Sequence, residues 1–125
     1  MKDAVKKLPD AELEVMQILW GLEAPAPRAA VEAEMQKLRP MAQTTLLTLL
    51  TRLSEKGFVR IEKQGRSSVY TPLVSQADYQ ARQSKRFFDQ LFGGSVSAFA
   101  SALTSSGIPR EDLEELRRLL EEGKL

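Results

Sequence analysis

The sequence contains no cysteine and no histidine. The first absence excludes a disulfide framework, a thiolate metal site and a cysteine nucleophile. The second removes imidazole, the commonest catalytic base and zinc ligand. Catalysis would fall to carboxylates, Lys, Tyr or Ser alone, and nothing in the composition calls for a cofactor or a metal. Long apolar runs are also missing: charges interrupt every one well short of the ~18 residues a membrane-spanning helix needs. The opening Met1-Lys2-Asp3-Ala4 leads into no apolar segment of the secretory kind. The expected location is therefore cytoplasmic, with no membrane insertion.

The 125 residues are 42% hydrophobic, enough for a compact core and too few for a large enclosed substrate cavity. The net charge is only +1, but residues 43–73 hold 5 Lys/Arg against 2 Asp/Glu, while both flanks are slightly acidic. A locally basic stretch favours an anionic partner without establishing one.

Helical spacing begins near Pro9, whose fixed φ suits a first turn, with Asp10 and Glu12 at the end that welcomes negative charge. Leu13, Met16, Leu19 and Trp20 form its apolar face, and Gly21 ends it. The prolines of Ala24-Pro25-Ala26-Pro27 exclude a helix interior. A second helix is predicted from Pro27 or Arg28, with Val31, Met35 and Leu38 inward, stopped by Arg39-Pro40. A third is predicted over 43–56, with Gly57 as the residue that ends it. Residues 58–63 read as a strand with Val59 and Ile61 inward, 64–67 as a turn, and 68–71 as a returning strand stopped by Pro72. Three short helices followed by a hairpin is the order of a winged helix-turn-helix.

From Ser75 the pattern is wholly helical. Ser75 and Asp78 have the spacing of a capping box, Gly93-Gly94 breaks the fourth helix, and Ser95 can cap a fifth. Residues 104–107 read as loop, and Pro109 opens a last helix to about Glu122. The fold class expected is mostly α with a small β-hairpin wing: a winged-helix domain over residues 1–73 and a helical dimerisation segment over 74–125.

On a helical wheel, Leu46, Leu49, Leu50 and Leu53 of the third helix form a core stripe. Thr44, Thr48, Thr51, Arg52 and Glu55 lie opposite, with Thr45 beside them. A solvated face is the plain reading of such residues. Thr is a mediocre helix former, however, and Glu or Lys would fill a merely wet face better. Short hydroxyls and methyls with one guanidinium suit the major groove, where Arg can hold guanine O6 and N7 together and Thr methyls can meet thymine methyls. Lys63, Gln64, Arg66, Ser67 and Ser68 surround Gly65 in the hairpin, in a pattern suited to backbone phosphates. Together they point to double-stranded DNA.

Several stretches carry a resemblance. They are Ala11-Glu12-Leu13-Glu14-Val15-Met16 with Trp20, Thr44-Thr45-Leu46-Leu47-Thr48-Leu49-Leu50-Thr51-Arg52-Leu53, Lys56-Gly57, Gly65-Arg66 and Tyr70-Thr71-Pro72. Ser84-Lys85, Phe92-Gly93-Gly94-Ser95-Val96 and Glu114-Glu115-Leu116-Arg117 continue it to the end. In these the chain resembles the penicillinase-repressor (BlaI/MecI/CopY) family of bacterial winged-helix regulators. The resemblance implies a homodimeric repressor on a palindromic operator of TACA/TGTA-type half-sites. It implies recognition-helix contacts at Thr44, Thr45, Thr48 and Arg52, and wing contacts at Lys63, Arg66 and Tyr70. Tyr70 could equally cap the hairpin's apolar face, and both roles stand open. Copper-responsive members carry a cysteine-rich C-terminal metal site, which residues 121–125 cannot supply. Members released by proteolysis are cut at an Asn-Phe bond, and a membrane sensor protease is the partner such release requires. The pair at that place here is Ala98-Phe99. It lacks the Asn, so Phe99 reads as a core anchor instead of half of a scissile bond.

Residues 75–125 are too few to build much of a core alone. They nevertheless carry Tyr79, Phe87, Phe88, Leu91, Phe92, Val96, Phe99, Leu103, Ile108, Leu113, Leu116, Leu119 and Leu120. Packing back onto the winged helix is one outlet for these side chains. The spacing of Val96, Phe99, Ala100 and Leu103, repeated by Leu113, Leu116 and Leu120, fits a partner helix better, and a twofold pairing would present two recognition helices to one DNA face. The competing classes are a winged helix that binds protein without DNA, which should expose aromatic anchors on the third helix or wing, and an enzyme. The densest acids, Glu111, Asp112, Glu114 and Glu115, fit the first turns of a helix instead of a catalytic pocket.

Overall fold

A computed structural model of the chain describes residues 6–123. The opening residues 1–4 read for a leader, and residues 124–125 of the thiol-free end, lie outside the described part.

Helix α1 (Asp10–Gly21) follows Pro9, with Asp10 and Glu12 in its first turn, and buries Val15, Met16 and Leu19. Leu13 and Trp20, expected on the same face, flank it half-buried. The proline-rich segment after α1 is more than a helix breaker: Ala26–Pro27 form a short strand, β1. X-Pro geometry is extended, and a residue without an N–H is tolerated at a sheet edge. Helix α2 (Arg28–Leu38) buries Val31 and Met35. Leu38, expected inward, is 52% exposed, because the last turn of α2 runs past the end of the core.

Helix α3 (Gln43–Glu55) buries Leu46, Leu49, Leu50 and Leu53, the stripe the wheel gave. It closes with a paired motif: the Phe58 N–H donates to the Leu53 carbonyl at 2.9 Å and the Gly57 N–H to the Ser54 carbonyl at 3.1 Å. Such a closure requires a left-handed residue at the turn, and Gly57 supplies it with φ +84°.

The chain passes directly into strand β2 (Val59–Gln64) and returns as β3 (Ser67–Pro72). Gln64 pairs with Ser67, so the turn is only Gly65-Arg66 where four residues were expected. Gly65 has φ +66°, and among the described residues no non-glycine takes a positive φ. This is the pattern of a type II′ hairpin, with glycine first. The sheet order is β1-β3-β2, with Ala26 opposite Tyr70 and Ile61 opposite Tyr70 on the other side. Val59 is buried, but Ile61, expected inward with it, is 37% exposed. The alternation continues along β2 after the strand has left the core as a wing.

Helix α4 (Gln76–Phe92) starts at Ser75, whose Oγ accepts from the Asp78 N–H at 3.0 Å. Its first turns belong to the winged helix. The Tyr79 hydroxyl accepts from the Leu8 N–H at 2.8 Å, and Trp20 Nε1 donates to the Val74 carbonyl at 2.8 Å. The Tyr79 ring lies 5.8 Å from those of both Trp20 and Phe58. The contacts of the chain accordingly divide it after Gln83, ten residues beyond the boundary read at 73/74. A capping signal marks where a helix begins, not where a domain ends. Within this first unit Glu12 is 4% exposed and pairs with Lys56 Nζ, tying α1 to the end of α3.

The second unit holds the rest of α4, helix α5 (Val96–Ser105) and helix α6 (Arg110–Glu122). Gly93 and Gly94, both at positive φ, break α4. The Ser95 Oγ accepts from the Ala98 N–H at 3.0 Å and caps α5. Thr104 and Ser105, read as loop, are helical: the Thr104 hydroxyl donates back to the Ser101 carbonyl at 2.8 Å, so a polar run that looks like loop sits in the last turn. Pro109 opens α6, and Gly123 ends it in the left-handed region. None of the described residues from Ser84 onward is buried. Among the described residues no helix is long and apolar enough to cross a membrane.

Candidate nucleic-acid interface

With the leucine stripe of α3 buried, Thr44, Thr45, Thr48, Thr51 and Arg52 are all exposed. Thr44, Thr48 and Arg52 succeed one another at four-residue intervals and form one line along the outward side. The Thr48 hydroxyl donates to the Thr44 carbonyl at 3.0 Å.

The N-terminus of α3 is left open. Its N-cap is Ala42, which offers no side-chain bond, and no acid stands in the first turn. α2 is alike, with Pro27 as N-cap and no acid. The other helices are served by Asp10 and Glu12, by Ser75 and Asp78, by Ser95, or by Glu111 and Asp112. Free N–H groups and the positive end of the dipole therefore remain available at the two helices of the helix-turn-helix. Gln43 stands exposed in the first turn of α3, beside these open amides. The signal for it in the sequence is Ala42, a residue that cannot cap.

In the wing, Lys63, Arg66 and Ser67 are exposed and Ser68 is half-buried. Lys63 and Arg66, like Arg52 on α3, differ from several other cations of the unit. Arg28 pairs with Glu32 at 3.6 Å, Arg39 with Glu14 at 2.6 Å and Arg60 with Glu62 at 3.5 Å. Among the described residues no carboxylate pairs with Arg52, Lys63 or Arg66. A face of α3 and a wing joined through Gly57 thus present hydroxyls, free amides and uncommitted positive charge.

Tyr70 is corrected. It is 2% exposed, a member of the core opposite Ala26 and Ile61, so it has no surface to offer DNA. Its burial pushes the phenol above its ordinary value of 10, with a hydrogen bond to Ser68 and the charge of Arg28 opposing. Of its two open roles, packing is the one its place allows.

The residues read for dimerisation all fall in the second unit. Phe88 lies 5.6 Å and Phe92 5.2 Å from Phe99, ring centre to ring centre, and Phe87 lies 5.7 Å from Phe92. Leu103, Leu113 and Leu116 are half-buried, whereas Leu91, Val96 and Leu120 are exposed, Val96 by 72%. Ala98 and Phe99 stand in the first turns of α5, the Ala98 N–H held by Ser95. Glu111, Asp112, Glu114 and Glu115 are exposed on α6, and Arg117 holds the Glu114 carboxyl below the usual carboxylate range.

The profile of the penicillinase repressor family matches residues 8–122. The penicillinase repressor of Bacillus licheniformis is 32% identical over 124 residues, covering 96% of each chain. Among solved structures, the DNA-binding domain of the repressor BlaI is 36% identical with a TM-score of 0.54, covering 60% of this chain and 90% of that one. The monomeric form of Bacillus licheniformis BlaI in complex with the blaP half-operator is 36% identical with a TM-score of 0.51 over the same shares. A match that runs through both units, together with a winged helix of the same architecture, places this chain in the penicillinase repressor family.

Proposed function

We propose that this chain is a homodimeric, sequence-specific transcriptional repressor. It reads a palindromic operator with the outward face of α3 in the major groove and sets the wing on the DNA backbone. The observation that carries this reading is the uncommitted charge: Arg52, Lys63 and Arg66 lack carboxylate partners among the described residues, while Arg28, Arg39 and Arg60 have them. Phosphates and guanine edges are the acceptors that suit such cations. The likeness to BlaI bound to a half-operator supports the same docking. Pairing through the second unit is supported by its aromatic and leucine side chains, none of which is buried within one copy among the described residues. A protein-binding winged helix is less well served, since the outward face of α3 carries no aromatic anchor. A membrane sensor protease cutting at Ala98-Phe99 would first have to unwind the start of α5.

Arg52→Ala should lower affinity for an operator selected from random DNA by about 2–6 kcal/mol, two bidentate contacts at roughly 1–3 each. Thermal stability should change by no more than about 0.5 kcal/mol, as for other surface truncations. Arg66→Ala should instead weaken all sequences alike and reduce the salt slope by about one per half-site. Titrations at several salt concentrations, with melting curves alongside, separate the two roles. Wild-type affinity in Arg52→Ala would mean that α3 does not read DNA through this face.

A further inference from the structure

The hydrogen bond within α3 has a consequence for what the helix can read. Threonine brings one O–H donor, two oxygen lone pairs and one methyl to an outward face. In Thr48 the donor is already spent, since the hydroxyl proton points back along the helix to the Thr44 carbonyl at 3.0 Å. Such a bond also fixes χ1, because only rotamers that turn the oxygen toward the preceding turn can make it. The chemistry left facing outward is the γ-methyl and the unused lone pairs. A group of that kind cannot donate to guanine O6 or N7, to adenine N7 or to thymine O4; it can only pack or accept.

We propose that Thr48 is a methyl reader, which recognises the C5-methyl of a pyrimidine, thymine in ordinary DNA, through its own methyl group and not through its hydroxyl. The inference rests on the DNA-reading role of α3 given above and adds which atoms of this residue do the reading. The placement supports it. Thr48 lies one turn from Arg52 and one turn from Thr44 on the exposed line of α3, about 6 Å along the helix axis from each. The thymine it meets therefore falls within about two base steps of the guanine that Arg52 holds, bases on one strand being ~3.4 Å apart. An apolar group beside a bidentate arginine gives a two-letter signature, in which one letter is set by hydrogen bonds and the other by a single methyl.

The test uses the full chain and a duplex that the wild-type protein selects from a random pool, with thymine replaced one position at a time by uracil, which lacks only the methyl. Uracil at one thymine within two steps of the Arg52 guanine should weaken binding about four-fold on a half-site and about fifteen-fold on a symmetric operator, the value of one buried methyl taken once or twice. Thr48→Val keeps the methyl and loses the hydroxyl. It should bind within about two-fold of wild type and stay sensitive to that uracil. Thr48→Ser keeps the hydroxyl and loses the methyl. It should bind as weakly to the thymine duplex as wild type binds to the uracil duplex, and the two losses should not add. The proposal is overturned if Thr48→Ser binds like wild type, if Thr48→Val loses affinity while Thr48→Ser keeps it, or if no uracil in that window matters. In those cases Arg52→Ala shows whether α3 still reads DNA: loss of the operator there leaves the repressor reading standing without Thr48, and selection of no duplex at all by the wild type removes that reading itself.

Discussion

The two units of this chain solve the problem of burial in opposite ways. Through Gln83 the chain buries Leu8, Met16, Leu19, Met35, Leu50, Leu53, Phe58 and Tyr79 almost completely around one core. None of its described residues from Ser84 onward is buried, though this part carries four phenylalanines and a leucine-rich last helix. The first unit satisfies its apolar side chains within one copy. The second leaves Phe87, Leu91, Val96 and Leu120 more than half exposed, far more apolar surface than an isolated small unit usually shows to water. What distinguishes them is closure: the first has a sheet, a central helix and aromatic ties that bring distant segments together, whereas the second has three successive helices whose contacts are local.

The contrast can be broken most strongly in the second unit. Replacing Phe99 and Leu103 by Asp would set four carboxylates into the proposed dimer interface, and should weaken association by about a thousand-fold or more. Sedimentation should then show monomers, while the fluorescence of Trp20, the chain's one tryptophan and a reporter of the first unit alone, should melt as before. A wild-type protein that sediments as a monomer at micromolar concentration would remove the dimer from the account.

The mirror experiment strikes the first unit. Phe58 is 1% exposed and touches Tyr79 edge-on, so Phe58→Ala should cost about 3–5 kcal/mol. Denaturant unfolding followed by Trp20 should reveal the whole loss, and the loss should not depend on protein concentration. A concentration-dependent loss would mean that the core of the first unit is shared with a partner copy.

The smallest effect sharpens the description of Tyr70. Burial raises its phenol above the ordinary value of 10, which means the folded state favours the neutral form. The contribution is fully present below about pH 10 and is withdrawn as pH climbs through the raised native value. Between pH 8 and about pH 10.5 the wild type should therefore lose more stability than Tyr70→Phe, by up to roughly 1 kcal/mol. Equal losses would show a hydroxyl still wet in the folded protein.

Much of this was legible in the sequence because the signals were local. The leucine stripe of α3, the glycine after it, the serines at the starts of α4 and α5 and the proline before α6 are each decided within a turn or two. The exposed line Thr44, Thr48 and Arg52 followed from the same periodicity. Long-range features were not legible. Ala26–Pro27 read as a helix breaker, and its pairing with Val69 and Tyr70 lies more than forty positions away. Ile61 and Leu38 kept the pattern of inward residues beyond the point where the core ends. Tyr79 counted toward the second half because it follows a capping serine, yet its hydroxyl reaches back to Leu8. Periodicity tells which side of an element is apolar, but not how far the core reaches along it.

If α3 reads DNA as proposed, its closure on Gly57 also sets a rule for how the sequence preference would change. The bond from the Phe58 N–H to the Leu53 carbonyl fixes where the helix stops relative to where the wing begins. The buried leucine stripe holds the outward line of α3 in place, so one residue more or fewer between Leu53 and Phe58 would break that closure and shift the hairpin against the line. Exchanges at Thr44, Thr48 or Arg52 leave that register untouched. Under the proposed reading, new operators are reached by substitution, one letter at a time, whereas a change of length between α3 and β2 would part the helix from its wing.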